Sequence, residues 1–96
     1  MKVPRIAIII INWNTYQLTF NCLKSLEACN YKNKTIFFVD NGSNDGSGDK
    51  IALEFPEINY IKNEKNEGFT GANNKALNII LKQSFDYVLL LNNDTE

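Results

Sequence analysis

The amino-acid sequence predicts an α/β protein with a mainly parallel sheet between two layers of helices, a Rossmann-like α/β/α arrangement in three layers. Short apolar runs rich in β-branched residues alternate with amphipathic segments of helical period along the chain. Strands and helices that alternate in this way are joined by right-handed crossovers, and the expected strand order is 3-2-1-4. The 96 residues, 44% hydrophobic and 22% charged, have the size and composition of one folded domain.

The first strand and the first helix are predicted by a change of hydrophobic period. Residues 6–11 are apolar without interruption, which is typical of a strand that is buried on both faces of a parallel sheet. Residues 15–29 carry leucine and cysteine at helical spacing, with Asn14 or Thr15 as the N-cap. A second buried strand is predicted at residues 35–39.

The remaining elements continue the alternation, and glycine, proline or amide residues separate them. They are a turn-rich stretch at residues 41–48, a short helix at 49–55, a strand at 58–61, a polar stretch at 63–71, a helix at 72–83 and a strand at 87–91. The sequence ends soon after this hydrophobic strand, where an open α/β sheet carries its functional loop. We therefore expect residues 1–96 to be a truncated, N-terminal part of a larger domain.

Charge and residue usage exclude several classes of function. Ten Lys and Arg against eleven Asp and Glu give a net charge of −1 without clusters, which argues against a nucleic-acid or anionic-membrane surface. Histidine is absent, which excludes His-based catalysis and the common zinc sites. Cys22 and Cys29 are too far apart in the predicted helix for a disulfide, so we expect reduced, buried thiols in a cytoplasmic protein.

Ligands of open α/β sheets bind beyond the carboxyl ends of the strands, and all four predicted strands end in amides, carboxylates or glycines. These ends are Asn12-Trp13-Asn14, Asp40-Asn41-Gly42-Ser43, residues 63–71, and Asn92-Asn93-Asp94. The dinucleotide-binding GxGxxG and the phosphate-binding GxxxxGK[ST] fingerprints are both absent. Dehydrogenases and P-loop nucleotidases are therefore disfavoured.

Three of these ends carry groups that suit a nucleotide, and each also has a simpler interpretation. Asp40 can accept hydrogen bonds from a base imide or a ribose hydroxyl, but its stretch also fits a turn with a capping Ser or Asp. Gly68 and the amides of Asn73 and Asn74 lie at the start of a helix, where an anion is favoured; a cap or a close helix–sheet approach is the alternative. Asp94 suits Mg²⁺ or Mn²⁺, or belongs to a solvated acidic loop.

Taken in order, four stretches resemble the family-2 glycosyltransferases. IIIINWN is similar to the family's first strand and its Asn-rich end, and FFVDNGSNDGS to its VDNGSxDGS hallmark. NEGFTGANNKAL is similar to its NxGFxxxxN loop and helix, and YVLLLNNDTE to the variant DxD strand of rhamnosyltransferase-like members. The match covers essentially the whole chain. It implies a GT-A fold and the transfer of a sugar from a UDP- or dTDP-linked donor to a glycan or lipid-linked acceptor, with Mn²⁺ or Mg²⁺.

Carried over by position, the resemblance implies donor contacts at all four strand ends. Asp40 would bind the base or ribose, and Asp94 would be the metal ligand. The other donor-binding residues would be Asn12, Asn14, Asn41, Asn66, Gly68, Asn73 and Asn92. Because Asn92 stands where many relatives have the first Asp of DxD, metal binding would rest on Asp94; an alternative register pairs Asp94 with Glu96.

By the same resemblance, the general base and the acceptor contacts lie beyond residue 96, so no catalytic residue is assigned and the chain alone is expected to transfer little or no sugar. The implied role is cell-surface polysaccharide biosynthesis in the cytoplasm, peripherally at the inner membrane face. A non-catalytic nucleotide-binding or interaction module is the alternative. The unpaired edge and apolar face of the last strand also predict a homodimer.

Overall fold

The computed structural model describes residues 3–91, which contain four strands and three helices in alternation. The elements are β1 (Ile6–Asn12), α1 (Tyr16–Ala28), β2 (Lys34–Asn41), α2 (Ser47–Glu54), β3 (Asn59–Asn63), α3 (Gly68–Ile80) and β4 (Tyr87–Leu91). All neighbouring strands are parallel, and their order is β3-β2-β1-β4. The predicted α/β fold class and strand order are confirmed.

Side chains of the central strands alternate between the two faces of the sheet, and different helices cover each face. On one face, Ala7, Ile9, Phe37 and Val39 pack with Ala72, Ala76 and Ile80 of α3. On the other, Ile8, Ile10 and Phe38 pack with Leu23 of α1, Ile51 of α2 and Phe55. Burial on both faces explains why β1 is an unbroken apolar run.

The same alternation places a buried polar pair at the carboxyl end of each apolar layer. Asn12 lies opposite Asp40 in the β1–β2 register, on the face covered by α1 and α2. Asn41 lies opposite Asn63 in the β2–β3 register, on the face covered by α3. Each of the four side chains belongs to a residue that is at most 3% exposed. The strands therefore deliver polar groups to one edge of the sheet without exposing them.

Strands β2 and β3 extend further toward this edge than predicted. β2 continues through Asp40 and Asn41, which pair with Lys62 and Asn63 of β3. The prediction ended each strand at its last apolar residue, Val39 and Ile61. Parallel pairing needs only backbone groups, so the ladder continues through polar residues when their side chains find hydrogen-bond partners.

Helices α2 and α3 begin earlier than predicted, and a glycine with a positive φ lies at the start of each helix. α2 begins at Ser47 instead of residue 49, directly after Gly46, whose φ is 78°. α3 begins at Gly68, whose φ is 76°, instead of residue 72, and ends at Ile80 instead of residue 83. Glycine favours loops in a sequence-based prediction, which therefore assigned these first turns to loops.

The buried face of α1 differs from the one expected from its cysteines. Thr15 takes the N-cap position, and Thr19 and Leu23 are the buried residues of the helix. Cys22 and Cys29 are both free thiols, as expected. Cys22 is half-buried, and burial raises the pKa of its thiol. Cys29 is exposed at the C-cap, where the chain leaves the helix, so the expectation of two buried thiols was wrong.

β4 pairs with β1 and forms one edge of the sheet in the described part of the chain. Its first four residues, Tyr87 to Leu90, are 40–63% exposed although all of them are large and hydrophobic. β4 is thus an exposed apolar edge of the sheet.

Within residues 3–91, no helix has the length and apolarity that crossing a membrane requires.

Two glycines in the loop after β2 allow a test of how closely this loop approaches the loop after β3. Gly42 and Gly46 have nearly equal φ values of 77° and 78°. A Cβ atom on Gly42 would lie 2.4 Å from the carbonyl carbon of Lys65, whereas Gly46 has no atom within 4 Å of that position. We expect Gly46→Ala to lower the free energy of unfolding by the left-handed strain alone, about 1–2 kcal/mol. Gly42→Ala should have the same left-handed strain and, in addition, the cost of displacing the backbone of Lys65 and Asn66.

Urea unfolding of the two alanine variants measures this difference. We expect the larger loss for Gly42→Ala, and equal losses would contradict the close approach of the two loops.

Candidate functional site

Asn12 lies at the centre of a buried hydrogen-bond network at the end of β1. Its Oδ1 accepts hydrogen bonds from the hydroxyls of Thr15 at 3.0 Å and Thr19 at 2.8 Å. Its Nδ2 donates to Asp40 Oδ1 at 2.9 Å and to the Ser47 hydroxyl oxygen at 2.8 Å. One side chain therefore connects β1 with α1, with β2 and with the start of α2.

Asp40 is a buried carboxylate, 2% exposed, at the adjacent end of β2. Its Oδ1 accepts hydrogen bonds from Asn12 and from the Ser43 hydroxyl, the latter at 2.6 Å. A longer bond of 3.3 Å joins the Ser43 backbone N–H to Oδ2. Among residues 3–91, no lysine or arginine forms an ion pair with Asp40. Neutral donors therefore surround this carboxylate, as burial of an unpaired charge requires.

The first turn of α2 packs directly against the Asp40 carboxyl group. A Cβ atom on Gly48 would lie 2.2 Å from Asp40 Cγ and 2.5 Å from Oδ1, so only glycine permits this approach. The positive end of the helix dipole favours negative charge in this place.

The turn between β2 and α2 is closed by Asp45, although the N-cap of α2 is Gly46 and no side chain caps the helix at that position. Asp45 Oδ1 accepts a 2.9 Å bond from the Ser47 backbone N–H, and hydrogen bonds from Ser47 hold the pKa of Asp45 below its usual value. Asn14, at a positive φ of 53°, ties the end of β1 to the same turn. Its backbone N–H donates to the Ser43 hydroxyl at 2.9 Å, and its Oδ1 accepts from Asn44 N–H at 3.1 Å.

A second polar network lies at the ends of β2 and β3, on the α3 side of the sheet. Asn41 Nδ2 donates to Asn66 Oδ1 at 3.0 Å and to the Gly68 carbonyl at 3.2 Å. Asn41 Oδ1 accepts from Asn63 Nδ2 and from the Glu67 backbone N–H, both at 3.0 Å. Asn66 Oδ1 accepts a further bond of 2.7 Å from the Gly68 N–H. This network fixes the loop that leads into α3.

Asn63 carries a buried acceptor, Oδ1, that has no hydrogen-bond partner among residues 3–91. The orientation of its amide follows from its neighbour, because Asn41 Oδ1 already accepts a backbone N–H and must be the oxygen. Asn63 must therefore turn its Nδ2 toward Asn41. An unmet buried acceptor lowers the stability that such a network contributes.

The structure brings six of the predicted donor-binding residues into two groups. The first group, linked through Ser43, contains Asn12, Asn14 and Asp40. The second group contains Asn41, Asn66 and Gly68. The donor contacts of all six residues stay predictions.

Of the three further predicted residues, the structure describes only Asn73, which belongs to neither group. Asn73 is nearly buried in α3, where its Nδ2 donates to the Phe69 carbonyl at 3.1 Å. Asn92 and the expected metal ligand Asp94 lie outside the described residues, as does Glu96 of the alternative register. Their roles stay predictions as well.

Several members of the two networks were not among the predicted site residues. They are Thr19, Ser43, Ser47 and Asn63. The serines stand in a stretch where small polar residues are expected for the turn alone, so composition did not single them out. Strand register was the signal for Asn63, since it places this residue opposite Asn41. Trp13, 50% exposed at the same edge, was also given no role.

A separate open cleft of about 590 Å³ lies at the opposite edge of the sheet, between the ends of α1 and α2 and the start of β2. Leu26, Lys32 and Glu57 are among its lining residues. No predicted site residue contributes to it. Because open α/β sheets bind their ligands at the carboxyl ends of the strands, we assign function to the other edge.

Comparison with known proteins gives consistent matches. The family model described as Glycosyl transferase family 2 matches residues 7–96. The chain is 35% identical over 94 residues to "Glycosyltransferase GlyA" of Streptococcus pneumoniae, covering 94% of this chain and 13% of that protein. It is 33% identical over 98 residues to "Putative colanic acid biosynthesis glycosyl transferase WcaA" of Escherichia coli, covering 97% of this chain and 33% of that protein.

A solved structure agrees with the fold. The mannosyltransferase PcManGT from Pyrobaculum calidifontis, in complex with GDP-Man and Mn²⁺, superposes with a TM-score of 0.82 at 21% identity. The match covers 97% of this chain and 28% of that one. The chain thus spans a third or less of the length of these proteins, while the family match spans nearly all of the chain. The chain belongs to glycosyl transferase family 2.

Proposed function

We propose that this chain is the donor-binding part of an enzyme that transfers a sugar from a nucleoside-diphosphate sugar to an acceptor hydroxyl. The observation that carries the proposal is the buried Asn12–Asp40 pair at the carboxyl ends of β1 and β2. Strand order reverses at β1, since β2 and β3 lie on one side of it and β4 on the other. Ligands of open α/β sheets bind at such a switch point.

Asp40 is the proposed anchor of the nucleoside. Its Oδ1 is engaged by Asn12 and Ser43, whereas Oδ2 has the longer internal bond and is the oxygen proposed to accept from a base imide or a ribose hydroxyl. The Asn41 network lies further from the switch point. Its proposed part is to hold Asn66 and Gly68 at the border of the nucleotide.

A divalent cation, Mn²⁺ or Mg²⁺, is proposed to neutralise the diphosphate, with Asp94 as its protein ligand. β4 is parallel to β1, and Leu91, its last described residue, pairs with Ile10, two residues before Asn12; Asp94 follows three residues after Leu91 in the sequence. A carboxylate is the hard oxygen ligand that these cations prefer. The presence of Mn²⁺ in the mannosyltransferase complex supports the proposal.

The donor base and the biological role are proposed from the relatives. We propose a UDP- or dTDP-linked donor, and the GDP-Man of the structural neighbour makes GDP-mannose the third donor to test. The name of the colanic acid relative supports a role in cell-surface polysaccharide biosynthesis, with a glycan or lipid-linked acceptor. The proposed location is the cytoplasm, peripherally at the inner membrane face.

Asp40→Ala is expected to weaken nucleotide binding by about 1.5–3 kcal/mol, the usual scale for a hydrogen bond to a charged group. Calorimetry of the complete protein with the preferred nucleoside diphosphate measures the change. Asp40→Asn, which keeps the size of the side chain, controls for collapse of the buried network. Unchanged affinity in both folded variants would defeat the assignment of Asp40.

Donor titrations with and without Mn²⁺ test both the proposed function and the role of Asp94. We expect the complete protein to bind one of the three nucleotide sugars, and Mn²⁺ to strengthen binding by bridging protein and diphosphate. Asp94→Asn should abolish metal-dependent transfer and leave the fold intact. Mn²⁺ dependence that survives this change would exclude Asp94 as the ligand. A folded protein that binds none of the donors would favour a non-catalytic interaction module.

The exposed apolar edge at β4 is expected to make this 96-residue chain associate when it is expressed alone. Tyr87 and Leu89 are 63% and 47% exposed on a strand whose outer backbone edge is not paired within the described residues. Light scattering at a concentration of about 100 μM, well above a micromolar dissociation constant, should show a dimer. Leu89→Lys, which places a charge on the edge, should shift the chain toward monomer. A clean monomer of the unaltered chain would contradict the proposal.

A further inference from the structure

We propose that Asn12, in place of the donor contact predicted for it from the resemblance, is a positioning residue for nucleotide binding, which holds the carboxyl group of Asp40 in place and does not itself contact the donor. The inference rests on the proposed function, because it takes Asp40 as the anchor of the nucleoside. Asn12 is 0% exposed, and every polar atom of its side chain is engaged within the protein. Any effect of this residue on a ligand must therefore pass through its neighbours.

The orientation of the Asn12 amide is determined by chemistry. An ionised carboxylate only accepts hydrogen bonds, so the Asn12 atom that lies 2.9 Å from Asp40 Oδ1 must be the Nδ2 donor. Oδ1 of the amide then faces Thr15 and Thr19, whose hydroxyls can donate to it. α1 thus fixes one end of the amide, and the other end fixes the carboxylate.

The carboxylate is held from two further directions. The Ser43 hydroxyl donates to the same oxygen, Oδ1, at 2.6 Å. The backbone of Gly48 lies so close to that side of the carboxyl group that no Cβ atom fits. The side-chain donors Asn12 and Ser43 both engage Oδ1, whereas Oδ2 accepts the longer 3.3 Å bond from the Ser43 backbone N–H. Oδ2 is therefore the oxygen proposed to accept from an incoming donor group. Asn12 is the contact that reaches across from β1 and sets the angle of the carboxyl plane.

A strand-end asparagine that positions a neighbouring carboxylate differs from one that lines the base pocket, and the two roles make opposite predictions in a double-mutant cycle. If Asn12 acts through Asp40, removing the Asn12 side chain weakens nucleotide binding only in a protein that still has Asp40. If Asn12 contacts the nucleotide directly, its removal weakens binding in both backgrounds.

The experiment measures dissociation constants for the preferred nucleoside diphosphate in the complete protein and in Asn12→Ala, Asp40→Ala and the double variant. We expect Asn12→Ala to raise the dissociation constant roughly 10-fold, and less than about 2-fold in the Asp40→Ala background. Ile10→Val is the matched control, because Ile10 is a fully buried β1 residue on the same face. It should lower the melting temperature without changing the dissociation constant.

The outcomes separate the inference from the proposed function. Asp40→Ala without effect on binding overturns the role of Asp40 and the inference with it. If Asp40→Ala raises the dissociation constant and Asn12→Ala does not, the inference alone is overturned. It is also overturned if Asn12→Ala raises the dissociation constant by the same factor with and without Asp40. If Asn12→Ala does not fold, Asn12→Thr, which keeps a hydroxyl donor, takes its place under the same criteria.

Discussion

The requirement that a buried carboxylate be surrounded by donors governs the carboxyl edge of this sheet. Asp40 is 2% exposed and has no cationic partner among residues 3–91, so its charge depends on neutral hydrogen bonds and on the start of α2. That requirement accounts for Asn12 on the adjacent strand and for Ser43 in the following turn. Gly48 has a steric cause instead, because a side chain there would collide with the carboxyl group. These residues are distant in the sequence, and all of them contact the one buried carboxyl group.

The two polar networks have different roles because the alternation of side chains along a strand places them on opposite faces of the sheet. The Asn12–Asp40 pair continues the layer under α1 and α2, at the strand where the order of the sheet reverses. The Asn41–Asn63 pair continues the layer under α3 and binds the loop before that helix. The first pair therefore lies where a ligand is expected, and the second sets the position of α3. The alternation of side chains along the strands thus separates the pair proposed to bind the nucleotide from the pair that holds the loop before α3.

The sequence allowed the fold to be predicted, because it follows from hydrophobic pattern and topology, and the same topology is the basis for proposing the site at the carboxyl edge. Residues 6–11 could only be a strand buried on both faces, and their alternation with helices determined the strand order. Three details depended on tertiary partners and were missed. β2 extends through Asp40 and Asn41 because β3 pairs with them, and α3 starts at a glycine. Cys29 lies on an apolar helical face in sequence, yet it is exposed because the helix ends there.

The central claim, that a nucleotide binds at the carboxyl edge around Asp40, is tested most directly by mapping amide resonances of the isotope-labelled complete protein during titration with nucleoside diphosphate. We expect the largest shifts in the backbone amide of Ser43, which donates to Asp40, and in those of Asn14, which donates to the Ser43 hydroxyl, and Asn41, which follows Asp40 in the chain. The opposite cleft, lined by Leu26, Lys32 and Glu57, should remain unperturbed. Shifts concentrated in that cleft, with the Asp40 edge unchanged, would contradict the account.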